Sequence, residues 1–158
     1  MHKVSVIVST YNWPEALEMV LQSLIDRKDR NFEVIVADDG SGPETANTII
    51  RMQKKSPVPI KHFWQEDMGY RLSRVRNGAI KIAEGDIVVF TDGDCCLLPD
   101  FVSNHRKVAE PGCFVTGKRV FLKRRFTEFV MKKRFSFHKW PRILLFMLGL
   151  MGQCNRSL

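Results

Sequence analysis

The 158-residue sequence lacks the features that define several common classes of protein. Its four cysteines form neither a C-x-x-C pair nor a His/Cys cluster at zinc-ligand spacing, so we expect reduced thiols. No basic stretch followed by an apolar one opens the chain, and no secretory leader is therefore expected. The apolar segment 143–151 is too short to span a bilayer but suits a buried or interfacial helix. These absences predict a single cytoplasmic domain.

Acidic residues are scarce in one part of the chain. Residues 118–142 hold ten Lys and Arg and a single acid, Glu128, so this stretch carries a formal charge of +9 while the rest sums to −1. Such asymmetry indicates an anionic partner for that stretch alone. Three interpretations stay open: a solvated helical face, contact with an anionic membrane surface, and nucleic-acid binding, which is disfavoured because no recognition motif is present. In the first, the side chains packed inward are Phe121, Phe126, Phe129, Val130 and Phe137.

Apolar runs alternate with helical patterns along the first two thirds of the chain. Strands are predicted at residues 4–10, 32–38, 60–65 and 86–92. A helix follows each of the first three, one beginning near Pro14, one after the turn sequence DGSGPET, and one over 71–84. Strands that are apolar on both faces and joined by crossover helices form a mostly parallel sheet, so the fold class is α/β. Past Asp100 the pattern predicts a short helix at 99–109 and a strand at 113–122.

Two carboxylates follow the fourth predicted strand. Asp92 and Asp94 flank Gly93, so two like charges lie close together at the end of an apolar run. Carboxylate oxygens are the ligands that Mg²⁺ and Mn²⁺ prefer, and a shared cation would relieve the repulsion. Asp-Gly pairs also cap turns, so these residues by themselves do not distinguish a metal site from a turn.

The other strand ends carry polar residues that suit a nucleotide. The carboxyl ends of parallel strands meet at one edge of a sheet, where ligands bind in such folds. Asp38 and Asp39 end the second strand and can accept hydrogen bonds from a ribose hydroxyl or a uracil imide, or serve only a turn. Arg71, Arg74 and Arg76 lie near the start of the third helix, where guanidinium groups can pair with phosphate. Helical spacing turns at least one of them to solvent, and Arg76 is the preferred candidate.

Four motifs, taken in order, resemble the nucleotide-binding half of the family 2 glycosyltransferases, which have the GT-A fold. They are VSVIVSTYN, FEVIVADDGS, the stretch 69–80 that contains RNGAI, and GDIVVFTDGDCCLLPDF. The resemblance extends over residues 3–122. It implies a Rossmann-like nucleotide-sugar-binding core at residues 1–122, followed by a basic, aromatic and apolar segment at residues 123–158. It also implies an inverting transferase that uses a nucleotide-diphosphate sugar, a UDP-sugar first of all, together with Mn²⁺ or Mg²⁺.

The resemblance implies nucleotide contacts at the ends of the first two strands. Ser9 and Tyr11 match positions that line the nucleotide pocket in this family. Asp39 matches the position that contacts the base.

The resemblance implies phosphate and metal contacts at the other motifs. Arg76 would neutralise phosphate, and Asp92 would hold the ribose side of the donor. Asp94 would ligate the metal together with Asp92.

An inverting displacement also needs a general base that deprotonates the acceptor hydroxyl. In this family the base lies in an acidic motif beyond the metal site. After Asp100 the only acids are Glu110 and Glu128, neither followed by Asp, so no catalytic base is assigned. The final residues GQCNRSL resemble the start of the segment that precedes the base, and we expect the chain to stop short of it. A truncated, inactive nucleotide-sugar-binding domain is therefore an open alternative.

The resemblance further implies a role in bacterial surface polysaccharide or lipopolysaccharide synthesis. The acceptor would be a saccharide or a lipid-linked molecule. Together with the basic stretch, this predicts a cytoplasmic protein that contacts the inner face of the plasma membrane peripherally.

Overall fold

The computed structural model describes residues 2–134 together with Ser136, Lys139 and Gly149. The predictions made for Phe137 and for the apolar segment 143–151, Gly149 apart, lie outside the described residues. The elements in chain order are β1 (Val4–Thr10), α1 (Pro14–Ile25), β2 (Phe32–Asp38), α2 (Pro43–Lys55), β3 (Ile60–Trp64), α3 (Leu72–Lys81), β4 (Ile87–Asp92), α4 (Phe101–Val108) and α5 (Arg124–Lys133).

The strands of this part of the chain form one parallel sheet in the order β3-β2-β1-β4. The α/β class and the parallel sheet predicted from the sequence are confirmed. Each crossover between strands contains a helix, and α1 and α2 both begin with proline at the first helical turn, where its missing N–H costs nothing.

The core lies on both faces of β1 and β2, whose residues are all buried. On one face Val6, Val34 and Val36 pack against Leu17 and Leu21 of α1 and their neighbours. On the other face a smaller cluster joins the sheet to α3. This two-sided burial explains why both strands are apolar at successive positions rather than alternating.

Helix α3 buries a narrower face than the sequence pattern indicates. Val75 and Ala79 are fully buried against the sheet, as expected. Ile80 and Ile82, which the periodicity also places inward, are 41% and 37% exposed. Helix α3 packs mainly on β2, β1 and β3. It ends at Lys81, so Ile82 lies beyond the helix whose periodicity predicts an inward position for it.

The predicted strand at 113–122 is wrong. Residues 113–121 have no regular secondary structure and Leu122 forms only an isolated bridge. The side chain of Phe114 is 89% exposed. The segment contains Val, Phe and Thr, which are common in strands. A strand also needs a neighbour with which to exchange backbone hydrogen bonds, and no ladder in the described residues includes this segment.

Part of the basic stretch forms helix α5, which only partly fits the packed-face interpretation. In α5, Val130 is buried and Phe126 is half-buried, whereas Phe129 is 47% exposed. Phe121, which precedes the helix, is 59% exposed. Nowhere in the described residues is there a helix with the length and apolar composition needed to cross a bilayer.

Candidate functional site

Three neighbouring strands end at the same edge of the sheet and bring their polar loops together. The register pairs Thr10 of β1 with Asp38 of β2, and Ser9 of β1 with Asp92 of β4. The loops that follow β1, β2 and β4 are therefore adjacent, as the parallel arrangement requires.

The loop after β1 is tied to the loop after β2. The Asn12 backbone N–H donates to Ser41 Oγ at 2.9 Å, and the Gly42 backbone N–H donates to the side-chain oxygen Oδ1 of Asn12 at 2.9 Å. Asn12 adopts a left-handed backbone conformation with φ of 45°, which asparagine tolerates better than most residues. These two hydrogen bonds hold the loop after β1 against the loop after β2.

The adjacent acids at the end of β2 have different surroundings. Asp38 is fully buried, accepts the Ser41 N–H at 2.8 Å, and lies 3.0 Å from His62 Nε2. It therefore serves the turn, which is one of the two alternatives that the sequence left open for this pair.

The second acid, Asp39, is held by donors from outside β2. Its Oδ2 accepts the Arg71 backbone N–H at 2.8 Å, and its Oδ1 accepts the side-chain amide of Gln65. Gly40 follows in the left-handed region, with φ of +96°, and a Cβ there would lie 2.5 Å from the Asp67 Cα. The loop after β3 thus packs directly on the acid and orients its carboxylate. Gln65 was not found from the sequence because no pattern there distinguishes it from a surface residue.

Tyr11 lies at the rim of the same loops. Its hydroxyl donates to Asp67 Oδ2 at 2.8 Å, and the side chain is 53% exposed. The hydrogen bond to Asp67, together with the charge of that carboxylate, raises the pKa of the Tyr11 hydroxyl. Tyr11 therefore presents a ring and a fixed hydroxyl beside Asp39.

Arg76 of α3 reaches across the sheet edge to two of the predicted site residues. Its Nε donates to Ser9 Oγ at 2.9 Å and its second terminal nitrogen donates to Asp92 Oδ1 at 2.9 Å. The guanidinium carbon lies 5.4 Å from the centre of the Phe90 ring. Ser9, Arg76 and Asp92, predicted separately, thus form one hydrogen-bonded group.

The other two arginines of the motif do not join this group. The Arg71 side chain turns away to the Glu66 carbonyl and to Met68 Sδ, so Arg71 contacts the site through its backbone: the N–H donates to Asp39 and the carbonyl accepts from Gln65. Arg74 is exposed on α3. The preference for Arg76 among the three is consistent with the geometry.

The turn after β4 places three possible ligand atoms together. Atoms of Asp92, Asp94 and Cys95 all lie within 4.8 Å of one another. The turn is closed by the Cys95 N–H, which donates to the Asp92 carbonyl at 3.1 Å. Gly93 is needed because a Cβ there would lie 2.8 Å from the Ser9 carbonyl oxygen, so its role is a close approach to β1.

The chemistry of this donor set fits a hard divalent cation. Two carboxylates from one turn supply the oxygens that Mg²⁺ and Mn²⁺ prefer. The pKa of the Cys95 thiol is raised, mainly because the thiol is partly buried and secondly because Asp94 is negatively charged. The raised pKa favours the neutral thiol. The carboxylates rather than the thiol are therefore the fitting ligands.

A further arginine at the site was missed. The Arg119 Nη1 donates to Asp92 Oδ2 at 2.6 Å, although the two residues are 27 positions apart. The sequence places Arg119 in the basic stretch, where it is one of ten cations and nothing singles it out.

The loop that follows the carboxylates is held by Ser23 of α1 and by Arg27, two residues beyond the end of that helix. The sequence did not indicate these contacts. The Arg27 guanidinium donates to the carbonyl oxygens of Leu97 at 2.9 Å and Pro99 at 2.6 Å, and also to that of Leu98. The Leu97 N–H donates to Ser23 Oγ at 3.1 Å. Burial lowers the pKa of Arg27 to about 10, although the negative charges of Asp100 and Asp29 act to raise it. The guanidinium therefore stays protonated at neutral pH.

Comparison with known proteins identifies the family. The model of the glycosyl transferase family 2 matches residues 5–155. The hyaluronan synthase of Pasteurella multocida is 37% identical over 108 residues, which cover 68% of this chain and 11% of that enzyme. The chain spans between 11% and 36% of the length of the curated relatives considered.

Solved structures share the same arrangement. The mannosyltransferase PcManGT from Pyrobaculum calidifontis, in complex with GDP-Man and Mn²⁺, has a TM-score of 0.62 and 32% identity over 70% of this chain and 33% of its own. S. aureus TarS in complex with UDP-GlcNAc has a TM-score of 0.55 and 28% identity over 66% of this chain and 30% of its own. With the family model matching almost its whole length and the strand order and strand-end site in place, the chain belongs to glycosyl transferase family 2 and has the GT-A type of fold.

Proposed function

We propose that this chain binds a nucleotide-diphosphate sugar with Mn²⁺ or Mg²⁺ and forms the donor side of an inverting glycosyltransferase. The observation that carries the proposal is the convergence of Asp39, Arg76, Asp92 and Asp94 at three adjacent strand ends. The mannosyltransferase and TarS structures support it, since their described complexes contain GDP-Man with Mn²⁺ and UDP-GlcNAc. A UDP-sugar is our first choice of donor.

The β2 end of the site is proposed to hold the nucleoside. Asp39 is only 6% exposed, and its carboxylate is oriented by Gln65 and the Arg71 N–H. A carboxylate held in this way can accept an imide N–H or a hydroxyl at a defined position. Tyr11 beside it offers a ring face for packing against the base or ribose.

The β4 end is proposed to hold the diphosphate. Arg76 is fixed by Ser9 and Asp92 and carries the positive charge that phosphate oxygens require. Asp94, with Asp92, would hold a divalent cation, and a cation bound there would supply Lewis-acid stabilisation of the departing diphosphate. Asp92 also keeps its proposed place on the ribose side.

The proposal assigns no general base. Of the two acids after Asp100 in the described residues, Glu128 pairs with Arg124 on α5 and Glu110 is exposed. A nucleotide-sugar-binding domain without transferase activity is therefore the alternative form of the same proposal. The boundary between the donor core at 1–122 and the segment at 123–158 belongs to it as well.

The test of donor binding is calorimetric titration with UDP, with and without Mn²⁺, on wild type and on Asp94→Ala. We expect binding to require Mn²⁺ and to weaken at least about 100-fold in the variant, because one of the two carboxylate ligands is lost. Asp86→Ala is the matched control, since Asp86 lies just before β4 at the opposite end of that strand. If UDP binds equally well with and without Mn²⁺, and equally well to wild type and to Asp94→Ala, Asp94 is not a metal ligand.

A titration with uridine separates the two halves of the site. Uridine lacks the diphosphate, so Asp94→Ala is expected to leave its binding unchanged while Asp39→Asn weakens it. If Asp39→Asn has no effect on either ligand, the base does not lie at the end of β2. Transfer of a labelled sugar by the 158-residue chain would exclude the inactive alternative.

We also propose that α5 contacts an anionic membrane surface near a saccharide or lipid-linked acceptor of bacterial polysaccharide or lipopolysaccharide synthesis. Its basic residues are exposed, and Phe129 is 47% exposed beside them. Such side chains gain about 1 kcal/mol per cation near acidic lipid. Co-sedimentation with anionic but not neutral vesicles is expected, whereas stronger binding to single-stranded oligonucleotides would favour the nucleic-acid alternative.

A further inference from the structure

We propose that Arg119 competes with a divalent cation for the Asp92 carboxylate. When a cation binds Asp92, Arg119 instead binds the donor diphosphate. This role of Arg119 rests on the proposed nucleotide-sugar function. It adds Arg119 to the proposed site and couples binding of the cation to binding of the diphosphate. It starts from a single carboxylate that is shared by two guanidinium groups.

Both oxygens of Asp92 are in contact with arginine. Oδ1 accepts from Arg76 at 2.9 Å and Oδ2 accepts from Arg119 at 2.6 Å. The ligand atoms of Asp92 and Asp94 are within 4.8 Å of each other, so a cation that uses both must use an oxygen of Asp92. A cation bound to either oxygen of Asp92 therefore shares that oxygen with a guanidinium group.

The two arginines differ in how firmly they are held. The Arg76 side chain is 29% exposed, belongs to α3, and makes a second bond to Ser9 Oγ. The Arg119 side chain is 57% exposed and belongs to the segment 113–121, which has no regular secondary structure. The Arg119 guanidinium also contacts the Cys95 side chain of the same turn, and its carbon lies 5.6 Å from the centre of the Phe121 ring. Arg119 is accordingly the partner that can leave Asp92.

Electrostatics then sets the order of binding energies. A cation on Asp92 repels a guanidinium on the same carboxylate, so Arg119 weakens binding of the cation alone. A diphosphate brings negative charge that attracts both groups, and a guanidinium released from Asp92 can pair with its oxygens. Arg119 thus couples the two ligands: it opposes the metal alone and favours the metal together with a diphosphate.

The experiment measures each ligand separately on Arg119→Gln. Free Mn²⁺ is followed by electron paramagnetic resonance in the absence of nucleotide, and UDP is titrated by calorimetry at saturating Mn²⁺. We expect Mn²⁺ affinity to rise about 3- to 10-fold and UDP affinity to fall about 10-fold, the size of one charge-assisted contact. Arg119→Lys keeps the charge and is expected to restore most of both values.

Lys118→Gln is the matched control, because it removes one positive charge from the neighbouring exposed position. It is expected to leave both affinities unchanged. If Arg119→Gln leaves Mn²⁺ affinity unchanged or lowers it, the competition at Asp92 is excluded. Unchanged UDP affinity in that variant would exclude the diphosphate contact, and in both cases Mn²⁺-dependent binding by wild type would still support the proposed function. Wild type that binds Mn²⁺ but no UDP would instead overturn the proposed function, and the Mn²⁺ measurement would still decide the competition.

Discussion

Strands β2 and β4 both pair in parallel with β1, yet they are held in the sheet by different forces. Every residue of β2 is buried, whereas in β4 only Val89 is, and Val88 and Phe90 are 37% and 44% exposed. Helix α3 packs mainly on β2, β1 and β3, and it reaches β4 through the Arg76 side chain, which lies over the Phe90 ring. Apolar burial therefore stabilises β2 far more than β4.

Polar contacts hold β4 at both of its ends instead. Before the strand, the Glu84 N–H donates to buried Glu33 at 2.6 Å and the Gly85 N–H donates to Ser5 Oγ at 2.9 Å. After it, Arg27, which lies two residues beyond the end of α1, holds the loop that begins at Leu97. The comparison shows that the proposed nucleoside half of the site stands on a packed core, while the proposed diphosphate half depends on a few specific hydrogen bonds.

The largest effect is expected from the contact that anchors the end of the β4 loop. Arg27→Met removes a charged donor from three carbonyl oxygens, and we expect a loss of about 3 kcal/mol in the free energy of unfolding. Urea unfolding measures it, and hydrogen exchange should show the faster rates concentrated after Asp94. The control Lys28→Met, at the next and exposed position, should change stability by less than about 0.5 kcal/mol. Equal losses in the two variants would mean that the loop is held by other contacts.

A pair of identical truncations tests the difference in burial directly. Val34→Ala in β2 removes two methyl groups at a fully buried position, so we expect a loss of about 2 kcal/mol. Val88→Ala in β4 removes the same groups at a position that is 37% exposed, and about 0.5 kcal/mol is expected. Chemical denaturation of both variants gives the values. A cost at Val88 as large as at Val34 would show that the open face of β4 is covered in solution.

An effect smaller than that of Val34→Ala is expected at Glu33 of β2, which accepts the Glu84 N–H just before β4, and this effect depends on pH. Burial by itself raises the pKa of Glu33, but hydrogen bonds from Lys61, the Glu84 N–H and Ser5 outweigh it and hold the pKa below the ordinary 4.5. The stabilisation by ionised Glu33 is therefore complete above pH 4.5 and is lost as the pH falls through the lowered pKa. Glu33→Gln should cost about 1 kcal/mol at pH 7 and progressively less below pH 4.5.

Unfolding curves from pH 7 to pH 2 measure that difference. The neighbouring Glu84, which shares Lys61 and Lys3, has a pKa lowered to about 2 by hydrogen bonds from these two lysines, so it stays ionised over most of the range. A cost for Glu33→Gln that is constant with pH would show that packing rather than charge accounts for the role of Glu33.

The parts of the site that were predicted share one property: each lies at a position fixed by the order of the strands. Ser9, Asp39 and Asp92 end consecutive neighbours in the sheet, and Arg76 lies on the helix that crosses over them. Once the parallel sheet is inferred, these residues must come together. Their roles toward a nucleotide remain predictions.

The parts that were missed depend on contacts between distant segments. Gln65 reaches Asp39 across 26 positions, Arg119 reaches Asp92 across 27, and Arg27 reaches Leu97 across 70. The wrong strand at 113–122 has the same origin, because residue composition describes a segment that could join a sheet and not whether a neighbouring strand is present. Local patterns contain no information on these partners.

The sequence by itself determined the parallel sheet, since long two-sided apolar runs separated by helix patterns can be buried in few other ways. It also determined that carboxylates stand at the strand ends, because the chain direction in such a sheet is uniform. Only the tertiary structure decided that Asp38 closes a turn while Asp39 accepts from Gln65 and the Arg71 N–H, and that Asp92 is shared between Arg76 and Arg119. The physical reason is that a carboxylate takes its role from the donors around it, and those donors come from segments that are brought close only when the chain folds.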